Sequence, residues 1–328
     1  MANDQLLSGE RLYLGVDIGG TKVAAGLVDA QGQIRFKTRT PMSPSGTADE
    51  GLQAVRTAVE TVLIANPDAK VNSIGVASPG PLDPRTGMVL NSPNLPCWRD
   101  YALVRNVEQA CKLPVHLDND ANAAGLAEAL WGAGRGHNAV FYATIGTGIG
   151  TGLALNGHVY HGRTGNALEG GHMTIDYKGP RCECGKLGCI EALAAGPAIA
   201  ARARAKLQAG AKSIMKELAG GEIANVTGET VGAAFAQGDA VAKEVLRETA
   251  DLLTVFFGNI VDVLEPEIIV VGGGVGELIS QWFDHIRENL PRWAINQRCA
   301  EIPLVLARYK ADAGIAGAAA LCMAEEKN

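Results

Sequence analysis

Two segments of this chain repeat one local pattern. Gly15-Val16-Asp17-Ile18-Gly19-Gly20-Thr21, continuing through Gly26-Leu27-Val28, resembles Ala143-Thr144-Ile145-Gly146-Thr147-Gly148, continuing through Gly152-Leu153-Ala154. Each reads as an apolar strand, a glycine-rich turn, a second strand and a further turn, at Gln31-Gly32 or at Asn156-Gly157. With one copy in each half, the repeat predicts a duplicated fold that holds a nucleotide between its halves. Glycine pairs also serve ordinary hairpins, so the repeat needs support from its surroundings.

The chain has 328 residues, enough for two domains that each bury a core. Glycine supplies 41 of them, one in eight, without a triplet period, and 47% of the residues are apolar. Collagen and disorder are excluded, and the glycine excess belongs at turns where backbone approaches backbone or ligand. A formal charge of −6, from 29 basic and 35 acidic side chains, argues against nucleic acid as a partner. No apolar run reaches the roughly 18 residues that span a bilayer. The most apolar stretch, Leu252–Leu264, is short and carries Asp262. Met1–Arg11 lacks the basic-then-apolar order of a signal peptide. A cytoplasmic protein with no membrane partner is expected. Cysteine usage agrees: Cys97, Cys111, Cys299 and Cys322 are scattered, while Cys182, Cys184 and Cys189 crowd together. That pattern suits a metal better than a disulfide framework.

Along the chain, short apolar runs alternate with helical periods, the grammar of an α/β protein. Strands are predicted at Leu12–Ile18, Val23–Asp29 and Gln33–Thr40, a helix at Thr47–Ala65, and a buried strand at Ser73–Ala77 that runs into Ser78-Pro79-Gly80-Pro81. A short helix at Leu103–Lys112 and a strand at Val115–Asp118 precede a helix from Asp120 to Trp131. The second half begins with a strand at Ala139–Ile145, then a loop-rich stretch from Asn156 to Gly188. From Asp239 to Leu264 the apolar residues keep the three-four spacing of one buried stripe, with Asp239 as cap and Pro266 as stop. A strand at Glu267–Val271, a helix from Val275 to Asn289, a strand at Pro303–Leu306 and a closing helix from Asp312 complete the chain.

Several motifs carry chemistry. In Asp17-Ile18-Gly19-Gly20-Thr21-Lys22 the glycines let backbone N–H groups face an anion, and Thr21 and Lys22 add donors. Asp17 suits a magnesium ion, which prefers carboxylate oxygen. Gly146-Thr147-Gly148 repeats the turn, and neither copy is a Walker-A loop. Gly272-Gly273-Gly274 fits an adenine ring or an anion as well as it fits a plain strand-to-helix turn. Asp120, where a strand meets a helix, suits a proton acceptor for an attacking alcohol; capping the helix is its plainer role. Asn119 offers a donor and an acceptor to a hydroxyl. Cys182, Cys184 and Cys189 supply three thiolates, and His172 is the nearest fourth ligand for tetrahedral zinc. His116, His137, His158, His161 and His285 have no such neighbourhood and read as surface or core residues. Glu169 and Glu191 flank the cysteine loop, placed to accept hydrogen bonds from sugar hydroxyls.

Taken together these residues resemble the ROK family of bacterial sugar kinases and sugar-responsive repressors. The matching segments are Asp17–Lys22, Asn119-Asp120, Thr144–Gly150, Glu169–His172, Cys182–Glu191 and Gly272–Gly274, in family order across nearly the whole chain. The resemblance implies an actin-like (ribonuclease H-like) duplicated α/β fold of two domains with an interdomain cleft. The expected division is residues 1–119 plus 308–328 for the smaller domain and 120–307 for the larger. The implied activity moves the γ-phosphate of ATP to the 6-hydroxyl of glucose, with Mg2+, a structural Zn2+ and a homodimeric assembly. On this chain Asp120 looks like the base, and Gly80, Asn119, Asp120, Glu169, His172 and Glu191 like the sugar contacts. Asp17, Gly19, Gly20, Thr21, Lys22, Gly146, Thr147, Gly148, Gly272, Gly273 and Gly274 look like the nucleotide and magnesium neighbours. His172, Cys182, Cys184 and Cys189 match the zinc ligands. N-acetylhexosamine or fructose is the alternative acceptor. A repressor is disfavoured, since only about a dozen residues precede Leu12, too few for a helix-turn-helix.

Overall fold

The computed structural model describes residues 11–326. The first ten residues, read above as part of a segment without a signal peptide, and the expected domain ends at 1–10 and 327–328 lie outside the described residues.

The chain opens on an antiparallel meander, β1 (Leu12–Ile18), β2 (Lys22–Asp29) and β3 (Ile34–Pro41). Helix α1 (Ala48–Ala65) starts at a capping box, in which Thr47 accepts from Glu50 N–H and the Glu50 carboxylate accepts from Thr47 N–H at 2.7 Å. Such a cap is worth ~1 kcal/mol. Strand β4 (Ile74–Ser78) follows, then a small sheet of β5 (Leu82–Asp83), β6 (Met88–Asn91) and β7 (Arg99–Tyr101). Helix α2 (Leu103–Cys111), strand β8 (Val115–Asn119) and helix α3 (Asp120–Leu130) come next. The second hairpin is β9 (Ala139–Ile145) and β10 (Ile149–Leu155), extended by β11 (His158–Val159).

Beyond the cysteine loop lie α4 (Ile190–Ala194), α5 (Gly196–Gln208), α6 (Met215–Leu218) and α7 (Gly228–Ala236). Helix α8 (Ala240–Leu264) has Asp239 as its cap and buries Val245, Leu246, Leu253, Phe256, Phe257, Ile260 and Val261 along one stripe. Burying each such side chain contributes roughly 1.5–3 kcal/mol. Strand β12 (Ile268–Gly272), helices α9 (Gly273–Ile279) and α10 (Phe283–Asn289), strand β13 (Leu304–Leu306) and helix α11 (Ala313–Glu325) end the chain. The single helix expected from Val275 to Asn289 is broken by a 3-10 turn at Ser280–Trp282, where Trp282 is buried against Phe235.

The five-stranded sheets run in the orders β3-β2-β1-β4-β8 and β11-β10-β9-β12-β13. The chain divides into two compact units, one of residues 1–142, 152–168 and 308–328, the other of 143–151 and 169–307. This division corrects the expected boundary at 119/120. Helix α3 belongs to the first unit because Ala123, Leu126 and Ala127 share one buried cluster with Ile315, Ala316, Ala319 and Ala320 of α11. Helix α11 lies directly on strand backbone. A Cβ at Gly75 would come within 1.7 Å of the Ala318 carbonyl oxygen, and one at Gly15 within 2.2 Å of the Ile315 carbonyl oxygen. Part of the glycine excess is therefore a helix–sheet contact and not a ligand site. No helix among the described residues is long and apolar enough to cross a membrane.

Candidate functional site

Strands β1, β4 and β8 run parallel as neighbours, with Asp17 in register with Ala77 and Ala77 with Asp118. Their carboxyl ends therefore bring Asp17, Ser78 and the Asp118-Asn119-Asp120 run together, at the edge where open α/β sheets take ligands. Asn119, not Asp120, caps α3: its side-chain oxygen accepts from Ala121 N–H at 2.9 Å. The plainer role expected for Asp120 thus falls to its neighbour. Asp120 is the first helical residue, and its Oδ1 also accepts from Ala121 N–H, at 2.8 Å. Gly80 lies against the Asn119 amide, where a Cβ would sit 3.4 Å from Nδ2, and the Gly80–Pro81 bond is cis. Ser78 Oγ is fully buried at this edge without a hydrogen-bond partner.

Asp17 and Asp120 feel one another. Burial first, and then the Asp120 charge, push the Asp17 carboxyl up to about 6, while Lys22 and Arg39 pull against them. Gly314 leaves room for this carboxylate, since a Cβ there would come within 2.2 Å of Asp17 Cγ. At the β1–β2 turn Gly19 N–H donates to the Lys22 carbonyl at 2.9 Å, and Thr21 and Lys22 stand exposed. Gly20 lies between Gly19 and Thr21 in the same turn.

In the second unit the β9–β10 turn is more tightly held. Gly146 N–H donates to the Gly148 carbonyl at 2.9 Å, and the Gly146 carbonyl accepts from Gly196 N–H, at the start of α5, at 2.8 Å. Thr147 sits between the two glycines. Glu191 Oε2 accepts from Ile149 N–H at 2.8 Å. Gly272 ends β12 and precedes α9, and Gly274 faces open space. Gly273 has φ +82°, and a Cβ there would fall 2.3 Å from the Ile145 carbonyl oxygen, so only glycine fits.

The fourth feature is the cysteine loop. One ligand atom each from His172, Cys182, Cys184 and Cys189 lies within 4.8 Å of all the others. Cys182 Sγ is 3.6 Å from His172 Nδ1, and Cys184 Sγ is 3.6 Å from Cys189 Sγ. Burial pushes the Cys189 thiol up to about 12 and raises Cys182, whereas the Lys186 backbone N–H lowers the exposed Cys184. Glu191 bridges this loop to the glycine turn, with Oε1 3.8 Å from both His172 Nδ1 and Cys182 Sγ. Glu169 is exposed just before the 3-10 turn Gly170–His172 and accepts His172 N–H at its carbonyl, 3.0 Å away.

Each unit thus gathers its own subset of the expected residues: Asp17, Gly19–Lys22, Gly80, Asn119 and Asp120 in the first, and the remainder in the second. His161, which reads in the sequence as a surface or core residue, belongs to this neighbourhood. His161 Nε2 lies 2.6 Å from Asp118 Oδ2, across 43 residues, a separation at which no local pattern signals the pair.

The ROK family pattern matches residues 13–325. A glucokinase from Thermotoga maritima is 33% identical over 309 residues, covering 94% of this chain and 96% of that protein. An N-acetylmannosamine kinase from Shigella boydii is 34% identical over 313 residues, 95% and 99% of the two chains. A crystal structure of a ROK family glucokinase from Streptomyces griseus, in complex with glucose and AMPPNP, superposes with a TM-score of 0.80 at 35% identity, covering 94% of this chain and 98% of that one. Together with the paired glycine turns and the cysteine loop, these likenesses show that the chain belongs to the ROK family.

Proposed function

We propose that this protein is an ATP-dependent glucokinase that transfers the γ-phosphate of ATP to the 6-hydroxyl of glucose. The observation that carries the reading is the position of Asp120, at the carboxyl end of the parallel strands β1, β4 and β8, beside a second carboxylate and with the capping duty taken by Asn119. In the reaction the sugar oxygen attacks the γ-phosphorus, Asp120 accepts the hydroxyl proton, and the bond to the β-phosphate oxygen breaks to release ADP. Phosphoryl transfer needs little more from a protein than positioning and charge neutralisation. The Gly19–Lys22 and Gly146–Gly148 turns and Gly272–Gly274 offer backbone donors and close approach to the nucleotide. Gly80, Asn119, Glu169, His172 and Glu191 offer hydroxyl partners to the sugar. The Asp17 carboxylate would hold a magnesium ion, which would offset the charge of the phosphates.

Zinc suits the donor set of His172, Cys182, Cys184 and Cys189, because three thiolates and one imidazole nitrogen would fill its four ligand positions and leave none for a reacting water. A cytoplasmic homodimer, with neither nucleic acid nor membrane as partner, completes the reading. N-acetylmannosamine is the second acceptor to test, since a kinase of that name is as similar to this chain as the glucokinases are. A panel of hexoses and N-acetylhexosamines with ATP and magnesium, following ADP release, decides between them. Glucose is expected to give the highest kcat/KM. Turnover of N-acetylmannosamine alone would replace it, and ATP turnover indifferent to every sugar would end the kinase reading.

A further inference from the structure

The loop after β11 is tied at three points, two on the turn between β5 and β6 and one on β8. Arg85 donates to the Arg163 carbonyl at 2.8 Å and to the Thr164 carbonyl at 3.2 Å, while also holding Asp83. Gly165 lies against Pro84, where a Cβ would approach its ring within 2.8 Å. The third tie is His161 Nε2 on Asp118 Oδ2 at 2.6 Å. Asp118 is only 2% exposed, and its other oxygen is also committed. Asp118 Oδ1 accepts from Asn119 N–H at 2.7 Å and from Asn122 Nδ2 at 3.0 Å. These two partners flank Asp120 in the chain, one at the strand end and one in the first helical turn. The Asp118 carboxylate therefore fixes the entry to α3 from both sides of Asp120, and His161 fixes the Asp118 carboxylate.

We propose that His161 is a positioning residue for Asp120, acting through the buried Asp118 carboxylate to hold the β8–α3 junction in its reactive geometry. The proposal rests on the kinase reading above for the role of Asp120, but not for the contact itself. A carboxylate left buried without its partner turns to find another donor or takes up a proton, and either change weakens its hold on Asn119 and Asn122. A misplacement of about 1 Å at a reacting group is enough to cost on the order of a hundredfold in rate.

His161 is reached from outside through a cavity of about 530 Å³. Arg85, His116, His158 and Glu325 line that cavity with it. The hydrogen bond to Asp118 and the charges of Asp118 and Glu325 raise the imidazole above its ordinary value, against burial and Arg85. Protonated, it holds Asp118 as an ion pair. Neutral, it still donates from Nε2. The donor, more than the charge, is what the junction needs.

Two variants separate this role from simple packing. His161→Leu keeps the bulk and removes the donor; His161→Gln places an amide N–H near the Nε2 position. The leucine variant should lose about tenfold or more in kcat with the KM for ATP little changed, and glutamine should recover most of that loss. Amide exchange at Asn119 and Ala121, read in both variants without any substrate, should quicken about tenfold in the leucine variant and return toward wild type in the glutamine variant. Unchanged exchange and kcat in a folded leucine variant would overturn the proposal. So would a glutamine variant no better than leucine in both readouts. A wild-type protein that phosphorylates no sugar would sink the kinase reading instead, while the exchange measurement still tests whether His161 orders the junction.

Discussion

The two glycine-rich hairpins share a local design and differ in what surrounds them. In the first, Asp17 stands one residue before the end of β1; in the second, Thr144 holds the matching place in β9. In the first turn the Thr21 carbonyl accepts from Met42 N–H at 3.0 Å, the Thr21 and Lys22 side chains stand exposed, and the half-buried carboxylate beside it is raised to about 6. The second has no acidic residue at the matching strand position, and its backbone is clamped by Gly196, by the Glu191 carboxylate and by the close approach of Gly273. Duplication supplied two similar frames. One became a place for charge and the other a rigid backbone surface.

Metal removal should break this contrast most severely. Stripping the zinc proposed for the cysteine loop, or making Cys184→Ser, should melt that loop and release Glu191 from the second turn, because structural metal binding is also folding free energy. The first turn should keep its order. Proton exchange along both hairpins, with elemental analysis for zinc, checks this; equal loosening of both turns would contradict it. Asp120→Asn should lower kcat by about a thousandfold with sugar affinity nearly unchanged, within the range for losing a general base. The same variant should let the Asp17 carboxyl fall from about 6, since one of the two causes raising it is gone.

Asp17→Asn is expected to trade activity for stability. Asp17 binds its proton more tightly folded, about 6, than at its ordinary 3.8, so its contribution to stability is complete below pH 4 and is lost as the pH rises through 6. The variant should therefore match wild type at pH 4 and exceed it above pH 7, by up to about 3 kcal/mol. Thermal denaturation at both pH values measures the difference; an equal gain at both would refute the assignment. Next in size, Gly273→Ala should cost about 2 kcal/mol, because it meets both a left-handed backbone and the Ile145 carbonyl. Smallest is Gly19→Ala, whose Cβ would stand 3.3 Å from the Lys22 carbonyl oxygen without a positive φ. It should cost under about 1 kcal/mol in urea unfolding, and a larger loss would mean that the first turn is as tightly clamped as the second.

Features built from neighbours in the chain were legible in advance. The strand at Leu12–Ile18, the strand at Ala139–Ile145 and the Asp239 cap of α8 fall where periodicity and cap chemistry put them. The closeness of His172, Cys182, Cys184 and Cys189 was likewise foreshadowed by their spacing. Strands β5 to β7 are not legible in the sequence, because runs of two to four residues are too short to display an alternation. The helices between Ile190 and Ala236 carry no strong single stripe, so periodicity does not mark them.

By itself the amino-acid sequence determined the two hairpins, the long helix α8 with its Asp239 cap, the cysteine loop and the family. These depend on contacts a few residues apart, where residue type and spacing already define the geometry. Tertiary structure alone decided that Asn119 caps α3, that α3 packs with α11, that the 275–289 segment breaks at Ser280, and that His161 meets Asp118. Each of these turns on which surfaces are buried together across long stretches of chain, and burial is a property of the packed whole.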